Sequence, residues 1–104
     1  MHTIGCAVMI CKTLVFSDHA IHQMFKRDIS VGDVKHVIEN GEVIRDYLDD
    51  KPYPSYLMLG LANFKNLHIV VASDEGLAKC IVVTAYEATT DVWESDFRTK
   101  KKKP

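Results

Sequence analysis

The spacing of apolar residues changes at Gly41, and this change constrains the fold more than any other feature of the sequence. Before it, apolar side chains recur every three or four residues, which is typical of amphipathic helices. After it, they form short runs rich in β-branched and aromatic residues, separated by turn-forming residues, which is typical of strands. Helices that precede most of the strands favour an α+β domain over an alternating α/β one.

Two helices are predicted between residues 17 and 41. Ser17 can cap the first, which runs to about Arg27. Ser30 and Asp33 resemble a capping box at the start of the second. Gly41 is expected to end that helix in the left-handed conformation. The predicted buried stripes are Ala20, Ile21, Met24 and Phe25 in the first helix, and Val31, Val34, Val37 and Ile38 in the second.

The remaining elements are strands, and they complete the order β-α-α-β-β-β-β. One strand is predicted at residues 13–16, with an extension by the preceding apolar residues, and four more at 42–47, 56–63, 67–72 and 80–87. Short links favour hairpins, so we expect a mostly antiparallel sheet of four to five strands with both helices on one face. Trp93 and Phe97 are predicted to pack back on it from a helical turn.

The length of 104 residues suits a single domain, 1–104, with a core at about 13–97 and a flexible basic tail at 98–104. The apolar residues 4–10 are too few to span a bilayer, and no basic segment precedes them as in a signal peptide. We therefore expect a cytoplasmic protein without membrane contact. Cys6, Cys11 and Cys80 match no recurrent metal-ligand or disulfide spacing, and reduced thiols are expected.

The distribution of charge argues against a nucleic-acid-binding surface on the body of the domain. Five of the thirteen basic residues lie at positions 98 and 100–103. The preceding residues carry 8 basic and 14 acidic side chains, a net charge of −6. A surface that binds nucleic acid needs clustered Lys and Arg to displace counterions from phosphates.

His68 lies in an otherwise apolar strand, so its face of the sheet decides its role. If Ala72 pairs with Cys80 across the turn, His68 faces Thr84 and has Tyr86 as a diagonal neighbour. Neutral imidazole can accept a proton and a phenol can donate one, so the three side chains suit acid–base chemistry. The alternative is a buried, hydrogen-bonded core histidine beside a tyrosine that only packs.

Two arginines and two further histidines are the other candidates. Arg27 and Arg45, the only arginines before the tail, could stabilise negative charge on a phosphate. His19, at the start of the first helix, is either a surface residue or lines a groove beside the sheet. With His22 and His68 it could bind a metal in a metal-dependent hydrolase, but no motif fixes three ligands. Glycine-rich phosphate loops, GxSxG and HExxH are absent from the sequence, and we expect no cofactor.

Several short motifs occur together in the order found in one known family. They are Phe16-Ser17-Asp18-His19-Ala20, then Met24, Arg27 and Ile29, then residues 39–44, 67–71 and 82–87. Over about residues 14–87 the chain thereby resembles domain of unknown function family 4258. That family is grouped with the RelE-like, or BECR, fold of small endoribonuclease toxins. Such genes often lie beside antitoxins of the zinc-finger helix-turn-helix, MqsA-like type.

This resemblance implies a toxin of a type II toxin–antitoxin pair that cleaves RNA without metal and is bound by a cognate antitoxin. It assigns proton transfer to His68 and Tyr86. It assigns phosphate contacts to Arg27 and Arg45, and supporting roles to His19 and Thr84. The net charge of −6 on the body suggests an alternative, a non-catalytic module of the same fold that binds a partner protein.

Overall fold

The order of helices and strands in a computed structural model, which describes residues 11–90 and 93–100, confirms the α+β prediction. The elements are β1 (Thr13–Phe16), α1 (Asp18–Arg27), α2 (Val31–Asn40), β2 (Glu42–Tyr47), β3 (Ser55–Ala62), β4 (Lys65–Asp74) and β5 (Lys79–Glu87). The predicted extension of β1 toward residue 4 lies largely outside the described residues. No helix in the described part of the chain is long and apolar enough to cross a membrane.

The five strands form one mixed sheet in the order β1-β5-β4-β3-β2. The neighbouring pairs from β2 to β5 are antiparallel, as short hairpin links require, whereas β1 runs parallel to β5. The two helices connect β1 to β2 and cover one face of the sheet, with α1 against β5 and α2 against β3. The other face carries a different set of side chains, and it contains the candidate site.

Both helices begin where their capping residues predict. The Ser17 hydroxyl accepts a hydrogen bond from the backbone N–H of Ala20 at the start of α1. At the start of α2, the hydroxyl of Ser30 accepts from the N–H of Asp33, and the Asp33 carboxylate accepts from the N–H of Ser30. Each cap satisfies backbone donors that the first helical turn leaves unpaired.

The core lies between the helices and one face of the sheet. The buried side chains include Ala20, Met24, Val34, Val37 and Ile38 from the helices, and Met58, Leu67, Ile69, Val71, Val82 and Ala85 from the strands. The predicted stripes were too wide, because Ile21, Phe25 and Val31 are exposed. Each helix has only ten residues and buries a stripe narrower than the apolar pattern suggested.

Gly41 ends α2 for a steric reason and not through a left-handed conformation, so that prediction was wrong. Its φ of −82° is open to any residue. A Cβ atom at Gly41 would lie 2.6 Å from the carbonyl oxygens of both Val37 and Leu59. Glycine at this position therefore allows the end of α2 to approach β3 closely.

Cys11 and Cys80 form a disulfide, which corrects the expectation of reduced thiols. Cys80 is buried in β5, and Cys11 lies two residues before the start of β1. The bond joins positions 69 residues apart and links the segment before β1 to the neighbouring strand β5. Sequence spacing cannot reveal such a pairing, because it depends on the parallel contact between β1 and β5.

The turn between β3 and β4 holds two side-chain-bearing residues in the left-handed region. Asn63 has a φ of 52° and Phe64 a φ of 64°. A two-residue hairpin turn of this kind normally places glycine second, because a Cβ atom is disfavoured there. The Phe64 side chain is 98% exposed, so packing within the domain does not offset the strain.

Replacing Phe64 by glycine is therefore expected to raise the free energy of unfolding by about 1 kcal/mol, because left-handed backbone is strained in residues with a Cβ atom. Urea denaturation measures the change. Phe64→Ala is the matched control, since it removes the ring but keeps the Cβ atom. If the alanine variant gains as much stability as the glycine variant, the ring and not the backbone is responsible.

Candidate functional site

His68 and Tyr86 face each other directly across β4 and β5. The predicted register, with His68 opposite Thr84, was wrong by two residues. One residue of the error comes from the turn, where Ser73 and not Ala72 pairs with Cys80. The other comes from a β-bulge after Val70, which places one extra residue in β5.

Although the register differs by two residues from the prediction, His68, Thr84 and Tyr86 still lie on the same face of the sheet, as predicted. A slip of one residue would have moved every side chain of β5 to the opposite face, but a slip of two returns it to the original one. His68, Tyr86 and Thr84 therefore share the sheet face that the helices leave uncovered, with Thr84 diagonal to His68. The His68 and Tyr86 rings meet edge to face with centroids 5.3 Å apart.

A second bulge brings Arg45 to the same face. In β2, Val43 pairs with Met58 and points toward the helices, and the register then shifts before Arg45 pairs with Leu57. Without the shift, strict alternation would place Arg45 beside Val43 on the helix side. The bulge thus places Arg45 on the same face as His68.

The structure does not bring His19 or Arg27 to this group. Both lie on α1, which packs on the opposite face of the sheet, and both side chains are exposed. Arg27 donates a hydrogen bond to the side chain of Gln23 on its own helix. The same separation removes the hypothetical metal site of His19, His22 and His68, and no other group of metal-binding side chains occurs among the described residues.

Residues 93–100, which we call the C-terminal strap, cover His68. The Trp93 ring stands 4.5 Å from the imidazole, centroid to centroid, and is 5% exposed. His68 Nε2 lies 2.8 Å from the backbone carbonyl oxygen of Phe97, to which it donates. The prediction that Trp93 packs back on the sheet is confirmed, but residues 93–100 form a folded-back turn closed by a Trp93–Lys100 bridge and not a helical turn.

The strap is attached to the sheet by contacts of its basic residues. The Arg98 guanidinium binds both carboxylate oxygens of Glu42 at the start of β2. Arg45 Nη2 donates to the backbone carbonyl oxygen of Arg98 at 3.0 Å. Arg98, which the sequence assigned to a flexible tail, thus contacts the sheet, and Lys100 of the same predicted tail lies near the Trp93 ring within the strap. Sequence reasoning missed Glu42 and Arg98 as neighbours of the site because they lie 56 residues apart.

A comparison with known families identifies the region that carries these side chains. Residues 16–87 match the family model of a domain of unknown function, DUF4258. The chain belongs to the DUF4258 family. The matched region contains His68, Tyr86, Thr84 and Arg45, and the strap lies beyond its end. No curated protein and no solved structure matches the chain.

Burial sets the protonation states of the DUF4258 site. His68 is fully buried, and loss of solvation lowers its pKa more than the bond to Phe97 raises it, with Arg45 lowering it further. The carbonyl contact assigns the proton to Nε2, and Nδ1 has no hydrogen-bond partner among the described residues. Burial also raises the pKa of Tyr86, so its phenol stays protonated at neutral pH.

This lowered pKa predicts how stability of the DUF4258 domain depends on pH. The unfolded His68 titrates near 6.5, above the pKa of the folded state, so the unfolded chain binds the proton first. The contribution of His68 to the free energy of unfolding is therefore fully present above pH 6.5, where the ring is neutral in both states, and is lost as the pH falls below 6.5. Tyr86, Trp93, Arg45 and the carbonyl of Phe97 surround the ring, and none offers a negative charge.

Denaturant unfolding between pH 5 and 7.5 tests this dependence. The free energy of unfolding should fall below pH 6.5, and a His68→Gln variant, which cannot titrate, should show a flatter profile. The carboxylates with lowered pKa values, Glu42 and Asp96, titrate below this window. An equal slope in both proteins would contradict the assignment of the effect to His68.

Beyond the strap, the same face of the DUF4258 sheet holds an open cavity of about 280 Å³. Its floor is formed by small aliphatic side chains of β4 and β5, and the β2–β3 loop walls it with Lys51 and Tyr53. The cavity includes Val70, which pairs with Thr84, so it begins next to the group around His68. The floor is apolar, and the rim carries both a cation, Lys51, and an anion, Asp50.

Proposed function

We propose that this DUF4258 domain is a metal-independent endoribonuclease, the toxin of a type II toxin–antitoxin pair with a RelE-like fold. The observation that carries the proposal is the direct pairing of a neutral, buried His68 with a protonated Tyr86 on a face that also holds Arg45. The three side chains supply a base, an acid and a cation, which are the groups that RNA transesterification needs.

The reaction begins when the imidazole of His68 accepts the proton of a ribose 2′-hydroxyl. The oxygen attacks the adjacent phosphorus and the bond to the 5′-oxygen breaks, while the phenol of Tyr86 protonates that leaving oxygen. The products are a 2′,3′-cyclic phosphate and a 5′-hydroxyl end. Arg45 stabilises the negative charge on the phosphate oxygens, and Thr84 supports the site from its diagonal position.

The strap covers this site, so RNA has to displace it to reach His68. Beyond it, the cavity with Lys51 offers a place for the neighbouring nucleotide on the same face. Arg45 and Lys51 are basic side chains that this face offers to RNA, whereas Arg98 is neutralised by Glu42 while the strap is in place.

Incubation of the purified protein with single-stranded RNA in the presence of a chelator tests the proposal. We expect cleavage fragments that end in a 2′,3′-cyclic phosphate, detected by end-group analysis. The Glu42→Gln variant is assayed alongside, because it weakens the attachment of the strap. If neither protein cleaves RNA, whether bare or on ribosomes, the proposal is abandoned.

A second candidate function, a non-catalytic module that binds a partner protein, is favoured by an exposed apolar surface. Phe64 is 98% exposed and Leu61 59% exposed at the β3–β4 turn. They line an open cavity that also includes Asp33 and His36 of α2. Exposed aromatic side chains of this kind often anchor protein interfaces. In the toxin proposal, the same surface is where the cognate antitoxin binds, a zinc-finger helix-turn-helix protein of the MqsA-like type.

Expression of the chain in bacteria separates the two functions. A toxin should arrest growth, and the His68→Gln variant should relieve that arrest. A binding module should leave growth unchanged in both cases. Growth arrest that persists in the His68→Gln variant would favour harmful binding of a host protein over RNA cleavage.

A further inference from the structure

The strap contacts two side chains of the proposed site, the imidazole of His68 and the guanidinium of Arg45. His68 Nε2 donates to the carbonyl oxygen of Phe97 at 2.8 Å, and Arg45 Nη2 donates to the next carbonyl oxygen, that of Arg98, at 3.0 Å. Two successive backbone oxygens therefore accept hydrogen bonds from an imidazole and a guanidinium. Phosphate oxygens of RNA can accept from the same two donors.

The indole of Trp93 occupies a space that suits another flat aromatic ring. The edge of His68 lies on it, and two cations lie near its ring, with Arg45 Cζ 5.8 Å and Lys100 Nζ 5.9 Å from the centroid. Proteins that bind single-stranded nucleic acids likewise hold bases against aromatic rings and arginine side chains. A nucleobase could make each contact that His68 and Arg45 make with the indole.

We propose that residues 93–100 are a built-in competitor that occupies the binding site of single-stranded RNA. The indole of Trp93 takes the place of a nucleobase, and the carbonyl groups of Phe97 and Arg98 take the place of its phosphate oxygens. The proposal rests on the proposed function, because it places the RNA on the same side chains. The strap and the RNA exclude each other, so every contact that stabilises the strap weakens RNA binding.

The attachment of the strap is a reversible one. Its main ion pair, Arg98 with Glu42, is bidentate but about half exposed, with 45% and 52% of the two side chains accessible. Water screens such pairs, so breaking this one is expected to shift the equilibrium by about two- to fivefold. The strap is also braced internally, because the Asp96 carboxylate accepts hydrogen bonds from the backbone N–H groups of Arg98 and Thr99. It should therefore leave the sheet as a unit.

Trp93 is the only tryptophan of the chain, and this makes its fluorescence a direct report on the strap. Glu42→Gln and Arg98→Gln each break the ion pair in the full-length protein. Both should shift the emission of Trp93 to longer wavelength and raise its quenching by acrylamide. Both should also bind a single-stranded 2′-O-methyl RNA oligonucleotide about two- to fivefold more tightly, the range set by an exposed ion pair.

The two variants control for each other because they change the net charge in opposite directions. Arg98→Gln removes a positive charge and would weaken binding through general electrostatics, whereas Glu42→Gln would strengthen it. Tighter RNA binding by both variants is therefore expected only if each substitution releases the strap. The exchanged double variant, Glu42→Arg with Arg98→Glu, can form the reversed ion pair and should return emission and affinity toward those of the unaltered protein.

Oligonucleotide titration of the unaltered protein completes the test. Because the 2′-O-methyl probe cannot be cleaved, binding and release of Trp93 are measured apart from catalysis. If the probe binds and exposes Trp93 but natural RNA is not cleaved, the competitor proposal stands and the nuclease proposal fails. If neither single variant binds the probe more tightly, or the probe binds without exposing Trp93, the competitor proposal is overturned even where cleavage occurs.

Discussion

The His68→Gln variant is expected to cleave RNA with a kcat/KM between about a hundredfold and ten-thousandfold below that of the unaltered protein, the usual contribution of general acid–base catalysis. This corresponds to about 3–5 kcal/mol of transition-state stabilisation. Glutamine retains an N–H donor that can bind the carbonyl of Phe97, so the strap keeps its partner. It lacks a nitrogen lone pair that can take the proton of a 2′-hydroxyl.

The matched control is His36→Gln, the same substitution at an exposed position on α2, on the other side of the sheet. It should leave cleavage unchanged. Emission of Trp93 in each variant checks that the strap and its packing on residue 68 are retained. Cleavage by His68→Gln at the rate of the unaltered protein would show that the imidazole takes no part in the reaction.

The helices and strands could be predicted from the sequence because they depend on local patterns. Ser17, Ser30 and Asp33 cap the helices from adjacent positions, and the change of periodicity at Gly41 marks the start of the sheet. These signals act over a few residues. The sequence alone therefore predicts both helices and all five strands to within about two residues, as well as the α+β class.

The site was predicted only in part because bulges and long-range contacts assemble it. His68 and Tyr86 share a face as predicted, although the register between them was wrong. Arg45 lies on this face because of a bulge in β2, which the alternation of apolar and polar residues in the sequence does not indicate. The strap depends on an edge-to-face contact between Trp93 and His68, which lie 25 residues apart in the chain, and no periodic pattern specifies it.

The Cys11–Cys80 disulfide is expected to contribute about 4 kcal/mol to the free energy of unfolding, because it closes a loop of 69 residues in the unfolded chain. This is a large share of the roughly 5–15 kcal/mol that stabilises a domain of this size. Reduction should therefore lower the midpoint of thermal unfolding by roughly 15–30 °C. Denaturation of the oxidised and reduced protein, with otherwise identical conditions, measures the difference.

Cys6 complicates this measurement, because a third thiol can exchange with the disulfide. The comparison is therefore made in a Cys6→Ser background. Cys11→Ser in that background should match the reduced protein in stability and should no longer respond to reductant. Alkylation of the denatured, unreduced protein should leave Cys11 and Cys80 unmodified, as seen by mass spectrometry. Equal stability of the oxidised and reduced forms would mean that the contact between β1 and β5 holds without the covalent bond, and that the unfolded chain gains little freedom when the bond is broken.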